Sequence, residues 1–473
     1  MPGPLSDKTF SDADQQRFAA ASGDFNPMHV DAVAARRLLS GRQVVHGIHV
    51  LMHALERHRP DPGPGATEWV CNFANPVSVG DRVEFARSER DGRCVSTASV
   101  DGLVCAEIVC EPEVEGLAPV LAVEQPARVV PPLTRPLDEV PGSQGNTLIE
   151  LPLPQADLEA EFPRAASLLG LEGLRALAAC STFVGMVCPG LHSVFSSLRF
   201  TSVARGSGAM RFRVRKYDSR FHLFIVDFVG PIRGELRAFV RPPPQPQPAM
   251  PEIITRVAAE EFRGSRSLVV GGSRGLGEST AKILAAGGGD VVISYAAGEA
   301  DARAVAAEIN ATGRGACDVL ALDLQQPIPT QLLSGTHFDA VYFFATPRIY
   351  AKRAETFDRQ AFDAFVNFYL QRFYELCRAL EQAGRGKTVV YLPSTVFIDE
   401  RPKGMTEYAM AKAAAEVLAD DVNRSFARVR VLRTRLPRLA TDQTSSILDM
   451  KLESNLDALL PVVRQMSNAI SSL

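Results

Sequence analysis

The stretch "SRSLVVGGSRGLGESTAKILAAGGGDVVISYAA", Ser265–Ala297, decides how the second half of this 473-residue chain is read. "SLVV" is a short apolar run of strand length, and it meets a glycine-rich turn, Gly271–Gly277. "STAKILAAGGG" follows with helical composition and a glycine stop, and "DVVISYAA" is another strand-like run. Downstream, "DARAVAAEINATG" reads as a helix, and "CDVLALDL" and "FDAVYFFA" as strands. Short apolar strands alternating with helices argue an α/β domain, a doubly wound parallel sheet with helices on both faces.

A glycine-rich turn between a strand and a helix lets backbone N–H groups approach a pyrophosphate at the helix N-terminus. The candidate cofactor-binding residues here are Gly271, Ser273, Arg274, Gly275, Leu276 and Gly277. A site for NADH expects an acid at the end of the following strand, to bind the ribose hydroxyls. This strand ends in Ser294 and Tyr295, with no acid before Glu299. Arg274 can meet a 2′-phosphate with a planar, bidentate guanidinium. NADPH is therefore expected rather than NADH, with Ser294 in the cofactor site and Asp323, in "ALDL", beside the adenine.

Further on, "EYAMAK" places Tyr408 and Lys412 one helical turn apart on one face. A neighbouring ammonium lowers a phenol's pKa, so the tyrosine can pass a proton to or from a carbonyl or alcohol oxygen. A surface helix carries such a pair by chance. Its company with the glycine-rich turn favours a site.

Upstream, "RPPPQPQPAMP", Arg241–Pro251, reads as an extended, semi-rigid spacer. Before it the pattern changes. Helical stretches near Asp12–Ala21 and in "GIHVLMHALERH" precede the strand-like runs "ATEWVCNFANPV", "DRVEFARSER", "RCVSTASVDG" and "LVCAEIVCEPE", an α+β signature. The order recurs. "AEFPRAASLLGLEGLRALAACSTF" reads as helix and is followed by "SVFSSLRFTSV", "GAMRFRVRKYDS", "RFHLFIVDFVG" and "GELRAFVRP". We read a degenerate internal repeat, two copies of one fold. The expected division is 1–118, 119–240, the spacer 241–251, and 252–473.

Within the first copy, "SGDFNPMHVD", Ser22–Asp31, sets Asp24 and His29 five positions apart around Asn26 and Pro27. A carboxylate and an imidazole that reach one water can take a proton from it and deliver one elsewhere, which suits adding water across a polarised double bond or removing it. Pro27 stiffens the turn that holds them. In "VVHGIHV", Gly47 stands at a helix start, where free N–H groups can stabilise an oxyanion on a thioester carbonyl. On residue types alone, Asp24 and Asn26 also suit turn-forming or capping roles, with His29 on the surface. "CPGLHS", Cys188–Ser193, in the second copy suits either the lining of a pocket or a turn of the chain, and the turn is the favoured reading.

The totals bound the partners. An apolar share of 46%, a charged share of 22% and a net charge of −3 fit a protein with real cores and give no support to a nucleic-acid or anionic-membrane partner. No apolar run reaches the roughly 18 residues that span a bilayer, and "MPGPLSDKTF" lacks the pattern of a signal peptide. Eight cysteines without a CxxC pair read as reduced thiols. A cytoplasmic location is expected, and no metal site.

Two resemblances sharpen this. "AAASGDFNPMHVDAVAARR", "VVHGIH" and "FANPVSVGDRVEF" occur in order over roughly residues 8–115 and resemble the (R)-specific enoyl-thioester hydratases of the MaoC-like hot-dog family. The resemblance implies that Asp24 and His29 activate the water, that Asn26 supports the loop and that Gly47 donates its N–H to the thioester oxygen. "IHVLM" lacks the hydroxyl residue often found after the His-Gly pair. The second copy has no Asp-x4-His and resembles the non-catalytic half of a double hot-dog. From about residue 264 to 442, "VGGSRGLG", "VVISY" and "EYAMAKAAAEVLA" resemble the short-chain dehydrogenase/reductase family, most closely its 3-oxoacyl-thioester reductases. That resemblance makes Tyr408 the proton donor, Lys412 its partner, Asn367 the relay residue, and Thr395 or its neighbour Ser394 the carbonyl-binding hydroxyl. The family's Asn-Asn-Ala-Gly reads "FFATPR" here, its Pro-Gly reads "RLPRLATD", and its closing strand is replaced by the helical "LDMKLESNLDALLPVVRQMSNAI". Loss of that strand weakens the expectation of a tetramer and leaves a homodimer open.

The expected architecture is an α+β double hot-dog followed by a Rossmann-type α/β domain. The expected function is bifunctional, with NADPH-dependent reduction of 3-oxoacyl thioesters and dehydration of the (R)-3-hydroxyacyl product, or enoyl hydration, in fatty-acid-like or polyketide-like synthesis. The substrate would be carried on acyl carrier protein or coenzyme A. A catabolic hydratase–dehydrogenase, and an acyl-carrier-binding scaffold with a degenerate reductase domain, are the competing readings.

Overall fold

The computed structural model describes residues 6–38, 40–58, 67–112, 125–126, 147–151, 156–203, 208–326, 328, 337–349, 356–383, 386–444 and 452–472. The chain divides into two compact units, Met1–Pro243 with Ser446–Asp449, and Pro244–Ser445 with Met450–Leu473.

The first unit is built on one sheet. Its strands are β1 (Ser6–Thr9), β2 (Thr67–Phe73), β3 (Arg82–Arg90), β4 (Arg93–Val100), β5 (Leu103–Pro112), β6 (Gln125–Pro126), β7 (Thr147–Glu150), β8 (Ser193–Ser202), β9 (Ala209–Asp218), β10 (Leu223–Val229) and β11 (Ile232–Val240). Their order is β1-β3-β4-β5-β2-β8-β11-β10-β9-β7-β6. The first five strands and the next five mirror one another about the antiparallel β2–β8 pair, where Trp69 faces Phe200. Each half is a three-strand antiparallel meander flanked by the strand after a helix and by a short edge strand. The repeat read in the sequence is thus realised as two half-sheets joined edge to edge. The expected junction between residues 118 and 119 lies outside the described residues.

The helices Gly47–Glu56 and Pro163–Thr182 occupy equivalent places before β2 and β8. Ile48, Leu51, Met52 and Leu55 of the first join Leu174, Leu177 and Ala178 of the second in one buried core with Phe85, Phe200 and Phe228. The run Pro163–Val187 is long and apolar enough by length and composition to cross a membrane. Its burial in this core reads as the central helix of a globular unit instead.

The second unit holds a six-stranded parallel sheet. Its strands are β12 (Arg266–Val270), β13 (Asp290–Tyr295), β14 (Ala316–Ala321), β15 (Ala340–Phe343), β16 (Thr388–Thr395) and β17 (Val429–Leu436), in the order β14-β13-β12-β15-β16-β17. Side chains alternate across each strand. Val269 packs into the core on one face, and Leu268 and Val270 into the core on the other. Both faces are covered, which is why these strands read as continuous apolar runs. The glycine-rich turn leaves β12 at the point where strand order reverses, where such sheets bind ligands. Beyond β17 a single parallel bridge, Leu439 to Glu453, stands where another strand would pair. The chain then enters the helix Asn455–Ser471, whose Leu456, Leu459, Val463 and Met466 pack in the core with Ile283. Residues 448–451 of the stretch read as helix lie outside the described residues.

The stretch read as a spacer departs from that reading. The Arg241 N–H donates to His192 O at 2.8 Å, extending the β8–β11 ladder. The Gln245 N–H donates to Asp442 Oδ1 at 2.9 Å, and Met250 is buried at the start of the helix Met250–Ile254. Proline-rich composition shows that these residues form no regular strand; it does not show that they stay undocked.

Candidate functional site

Each turn of the Ser22–Asp31 segment has a local cause. The helix Asp12–Ser22 opens on a capping box between Ser11 and Asp14 and closes on Gly23, whose φ of 85° only glycine adopts cheaply. The reversal carries Asp24 inward, where its carboxylate accepts from the Asn26 N–H at 3.2 Å. Asn26 caps the short helix Pro27–Val30 through its Oδ1, and Pro27 occupies the first helical position, where its missing N–H costs nothing. One turn later His29 faces back, its Nδ1 2.6 Å from Val44 O. That carbonyl can only accept, so Nδ1 carries the proton and Nε2 is left as the base.

Asp24, His29 and His46 are all buried and bring one carboxylate oxygen and one ring nitrogen each within 4.8 Å of one another. The expected pair converges. His46, unused in the sequence reading, stacks on His29 with ring centroids 3.9 Å apart and sets Nε2 3.0 Å from Asp24 O. Gly47 follows it as the first residue of the helix Gly47–Glu56. The helix start therefore stands beside the pair, with its first N–H groups outside the helical ladder.

The second repeat completes this site. Ser181 Oγ donates to Asp24 Oδ2 at 2.7 Å. The Asn26 amide donates to Gly185 O at 2.8 Å, Gly190 O at 3.2 Å and Leu191 O at 3.3 Å. A Cβ on Gly185 would lie 2.2 Å from Asp24 Oδ1, so that position needs glycine for close approach. "CPGLHS" is a turn, as read, and also the anchor of Asn26. Arg241, read as the start of the spacer, donates from Nη2 to Leu191 O at 3.2 Å, the same carbonyl that Asn26 reaches. Its Nε–H is buried without an acceptor, as is Nδ1 of His192. An unpaired buried polar group costs about 1–3 kcal/mol.

Burial raises the Asp24 carboxyl above its ordinary value, opposed by His29, Ser181 and the Asn26 N–H. Burial lowers His29, opposed by Asp24 and Val44 O. His46 is driven well below its usual range by burial and by His29. Neutral imidazoles beside a carboxylate can exchange a proton with a water or an acyl carbon. A second set, His49, His53 and Glu161, also converges within 4.8 Å. The Arg57 guanidinium lies 3.3 Å from His53 Nδ1 and can only donate, which puts the His53 proton on Nε2, facing Glu161 Oε1 at 3.5 Å. That tautomer turns a neutral Nε2–H toward the Glu161 carboxylate.

In the second unit the glycine-rich turn is shaped for close backbone approach. Gly275 has φ 58°, and a Cβ on Gly277 would lie 2.2 Å from Gly271 O. The twelve-residue helix Gly275–Ala286 begins there, and its free N–H groups suit a pyrophosphate. Ser273 is buried and Leu276 half-buried in this turn. Ser294 Oγ accepts from the Gly271 N–H at 3.1 Å, so this hydroxyl braces the turn. Asp323 is exposed just beyond β14 and accepts from the Gln325 N–H at 2.9 Å. Arg274 is not held out for a phosphate; its Nη1 lies 3.2 Å from Asp442 Oδ2.

Tyr408 sits among the rings of Phe365, Tyr369 and Phe397. Lys412, one turn on, is buried; its Nζ donates to Pro393 O at 2.7 Å and lies 3.8 Å from the Tyr369 ring centroid and 5.8 Å from that of Tyr408. Desolvation pulls Lys412 down to about 7. Ser394 Oγ donates to Glu416 Oε1 at 2.5 Å, whereas Thr395 Oγ1 accepts from the Phe397 N–H at 3.2 Å and keeps its own proton to donate. Asn367 opens a π-helical turn, Asn367–Arg372, between the helices Arg359–Val366 and Phe373–Ala383; such turns recur at functional sites. "FFATPR" passes beside the glycine-rich turn, where a Cβ on Gly271 would lie 2.9 Å from the Ala345 N, and Thr346 bonds the Tyr369 hydroxyl.

Comparison with known proteins agrees with both halves. Residues 2–104 match the MaoC like domain, and residues 266–451 the short chain dehydrogenase domain. The chain is 34% identical over 80 residues to a 3-hydroxybutyryl-CoA dehydratase of Methylorubrum extorquens, covering 16% of this chain and 51% of that one. It is 35% identical over 79 residues to an (R)-specific enoyl-CoA hydratase of Aeromonas caviae, covering 16% and 59%. The chain thus spans little more than half the length of these two relatives. A solved short chain dehydrogenase from Pseudomonas syringae is similar at 19% identity and a TM-score of 0.37, covering 44% of this chain and 92% of that one. The protein carries a MaoC-like domain toward its N-terminal end and a short-chain dehydrogenase domain toward its C-terminal end.

Proposed function

We propose that this protein is a bifunctional acyl-thioester enzyme, with a hydratase/dehydratase site at Asp24–His29 and a reductase site at Tyr408–Lys412. The observation that carries the first is the buried convergence of Asp24 and His29 beside the Gly47 helix start. His29 Nε2 and the Asp24 carboxylate hold the water and move its proton. The first N–H of the Gly47 helix stabilises negative charge on the thioester oxygen. In the second site a bound nicotinamide dinucleotide supplies the hydride. Tyr408 gives the proton to the substrate oxygen, Thr395 orients that oxygen, and the Lys412 ammonium favours the phenolate. The two steps share one carbon framework, since reduction of a 3-oxoacyl thioester gives the 3-hydroxy compound that dehydration consumes.

NADPH is the proposed cofactor, because β13 ends without an acid. Opening of the Arg274–Asp442 pair would admit its 2′-phosphate. Synthesis on acyl carrier protein or coenzyme A, in a reducing cytoplasm suited to the free cysteines, completes the reading. One observation favours a second reading, a binding scaffold without reductase turnover: Lys412 is spent on Pro393 O and the Tyr369 ring. Incubation with a short 3-oxoacyl thioester and NADPH separates them. Loss of NADPH absorbance and appearance of the enoyl product by mass support the bifunctional reading. Enoyl hydration without NADPH oxidation supports the scaffold reading of the second unit.

A further inference from the structure

Among the described residues, the Arg241 guanidinium has no carboxylate partner, and its side chain donates to Leu191 O. Leu191 O also accepts from Asn26, inside the Asp24–His29 loop. The guanidinium is thus one shared carbonyl away from Asn26, in the loop that carries Asp24 and His29, and its charge bears on His29. Its Nε–H is buried and unmatched, and so is Nδ1 of His192, whose carbonyl accepts the Arg241 backbone N–H. Two adjacent side chains therefore hold unused hydrogen-bonding capacity beside one site. A guanidinium fork matches a carboxylate or a phosphate. In a carrier-bound thioester the nearest phosphate is separated from the sulfur by two amide-linked segments. A group beside the reacting carbons instead meets the acyl chain.

Resting on the hydratase reading of Asp24–His29, we propose that Arg241 and His192 bind a carboxylate at the far end of the acyl group, so that this site selects half-thioesters of short dicarboxylic acids. The anionic end docks on the Arg241 fork, His192 donates a further hydrogen bond, and the double bond lies over Asp24 and His29.

The test compares hydration of a short uncharged trans-2-enoyl thioester with that of its analogue ending in a carboxylate, both on coenzyme A, in the wild type, Arg241→Gln and Arg241→Lys. The expected wild-type preference is for the carboxylate, and Arg241→Gln lowers the ratio of the two kcat/KM values by about 100-fold. Arg241→Lys restores part of it, because it keeps the charge but not the fork. An unchanged ratio overturns the proposal. Equal losses on both substrates that disappear with phosphate-free pantetheine thioesters also overturn it, and assign Arg241 to the carrier phosphate. A second readout does not need turnover: calorimetry of the saturated analogues with and without the carboxylate. Arg241-dependent tighter binding of the dicarboxylic half-thioester supports the proposal even if no hydration occurs and the hydratase reading fails. Equal binding of the two overturns it even if hydration is intact.

Discussion

Ser181 and Asp24, 157 positions apart in the chain, are joined by a 2.7 Å hydrogen bond from Oγ to Oδ2. Asp24 and Asn26 and the residues that hold them come from different copies of the repeat. The copy without Asp-x4-His is therefore part of the site. Ser181→Ala removes one of the groups that favour the ionised carboxylate. Hydration should fall about tenfold in kcat/KM, the size of one charge-assisted hydrogen bond, and the acid limb of the pH–rate profile should move to higher pH. An unmoved limb would assign Ser181 to packing alone.

Asp24→Asn should uncouple stability from activity. The folded carboxyl is raised by burial, so between its unfolded and folded values the native state holds the extra proton and stability falls as pH rises. Above that window the ionised Asp24 destabilises the fold, and the amide does not. The variant should unfold at a higher temperature than the wild type at pH 7, and the gap should close as pH drops through the raised value. His29, lowered by burial, contributes with the opposite sign: stability rises with pH up to the ordinary imidazole value. Thermal unfolding over a pH series reads both, and a variant no more stable at pH 7 contradicts the first.

Much of this arrangement was legible in the sequence, and the remainder has identifiable reasons for being hidden. Asp24, Asn26 and His29 announce themselves because capping, a proline and a short spacing act locally. Gly271–Gly277 is legible because positive φ and close approach demand glycine. Ser181, Gly185 and Tyr369 are ordinary residues in apolar helices, and only the tertiary fold brings them to a site. Arg241 was hidden by its proline-rich neighbours. Asp442 and Arg274 lie 168 positions apart and carry no motif.

The buried ammonium of Lys412 should set an alkaline limit on the proposed reduction. Its pKa is pulled down to about 7 by desolvation, so the charge that supports Tyr408 is lost above that pH. Stability moves the other way, rising between about 7 and the unfolded value as the unfolded chain keeps the proton. Reductase kcat/KM should decline from about pH 7 upward, and a rate flat to pH 9 would show that the lysine stays charged in the working complex.

Asp442→Asn should release Arg274 from its 3.2 Å partner and remove a negative charge from beside a bound 2′-phosphate. The amide can still accept from the Gln245 N–H. The NADPH-to-NADH ratio of kcat/KM should rise about tenfold, the worth of one hydrogen bond to a charged group. A ratio that stays fixed would mean that Arg274 does not reach the cofactor.

A division of labour between two sites is tested most directly by mass analysis of the products from a 3-oxoacyl thioester with NADPH. The wild type should yield the enoyl thioester. Asp24→Asn should stop at the 3-hydroxyacyl thioester, and Tyr408→Phe should leave the substrate unreduced while still hydrating an enoyl thioester supplied separately. Enoyl product from Asp24→Asn at the wild-type rate, or loss of both reactions in either variant, would contradict the account.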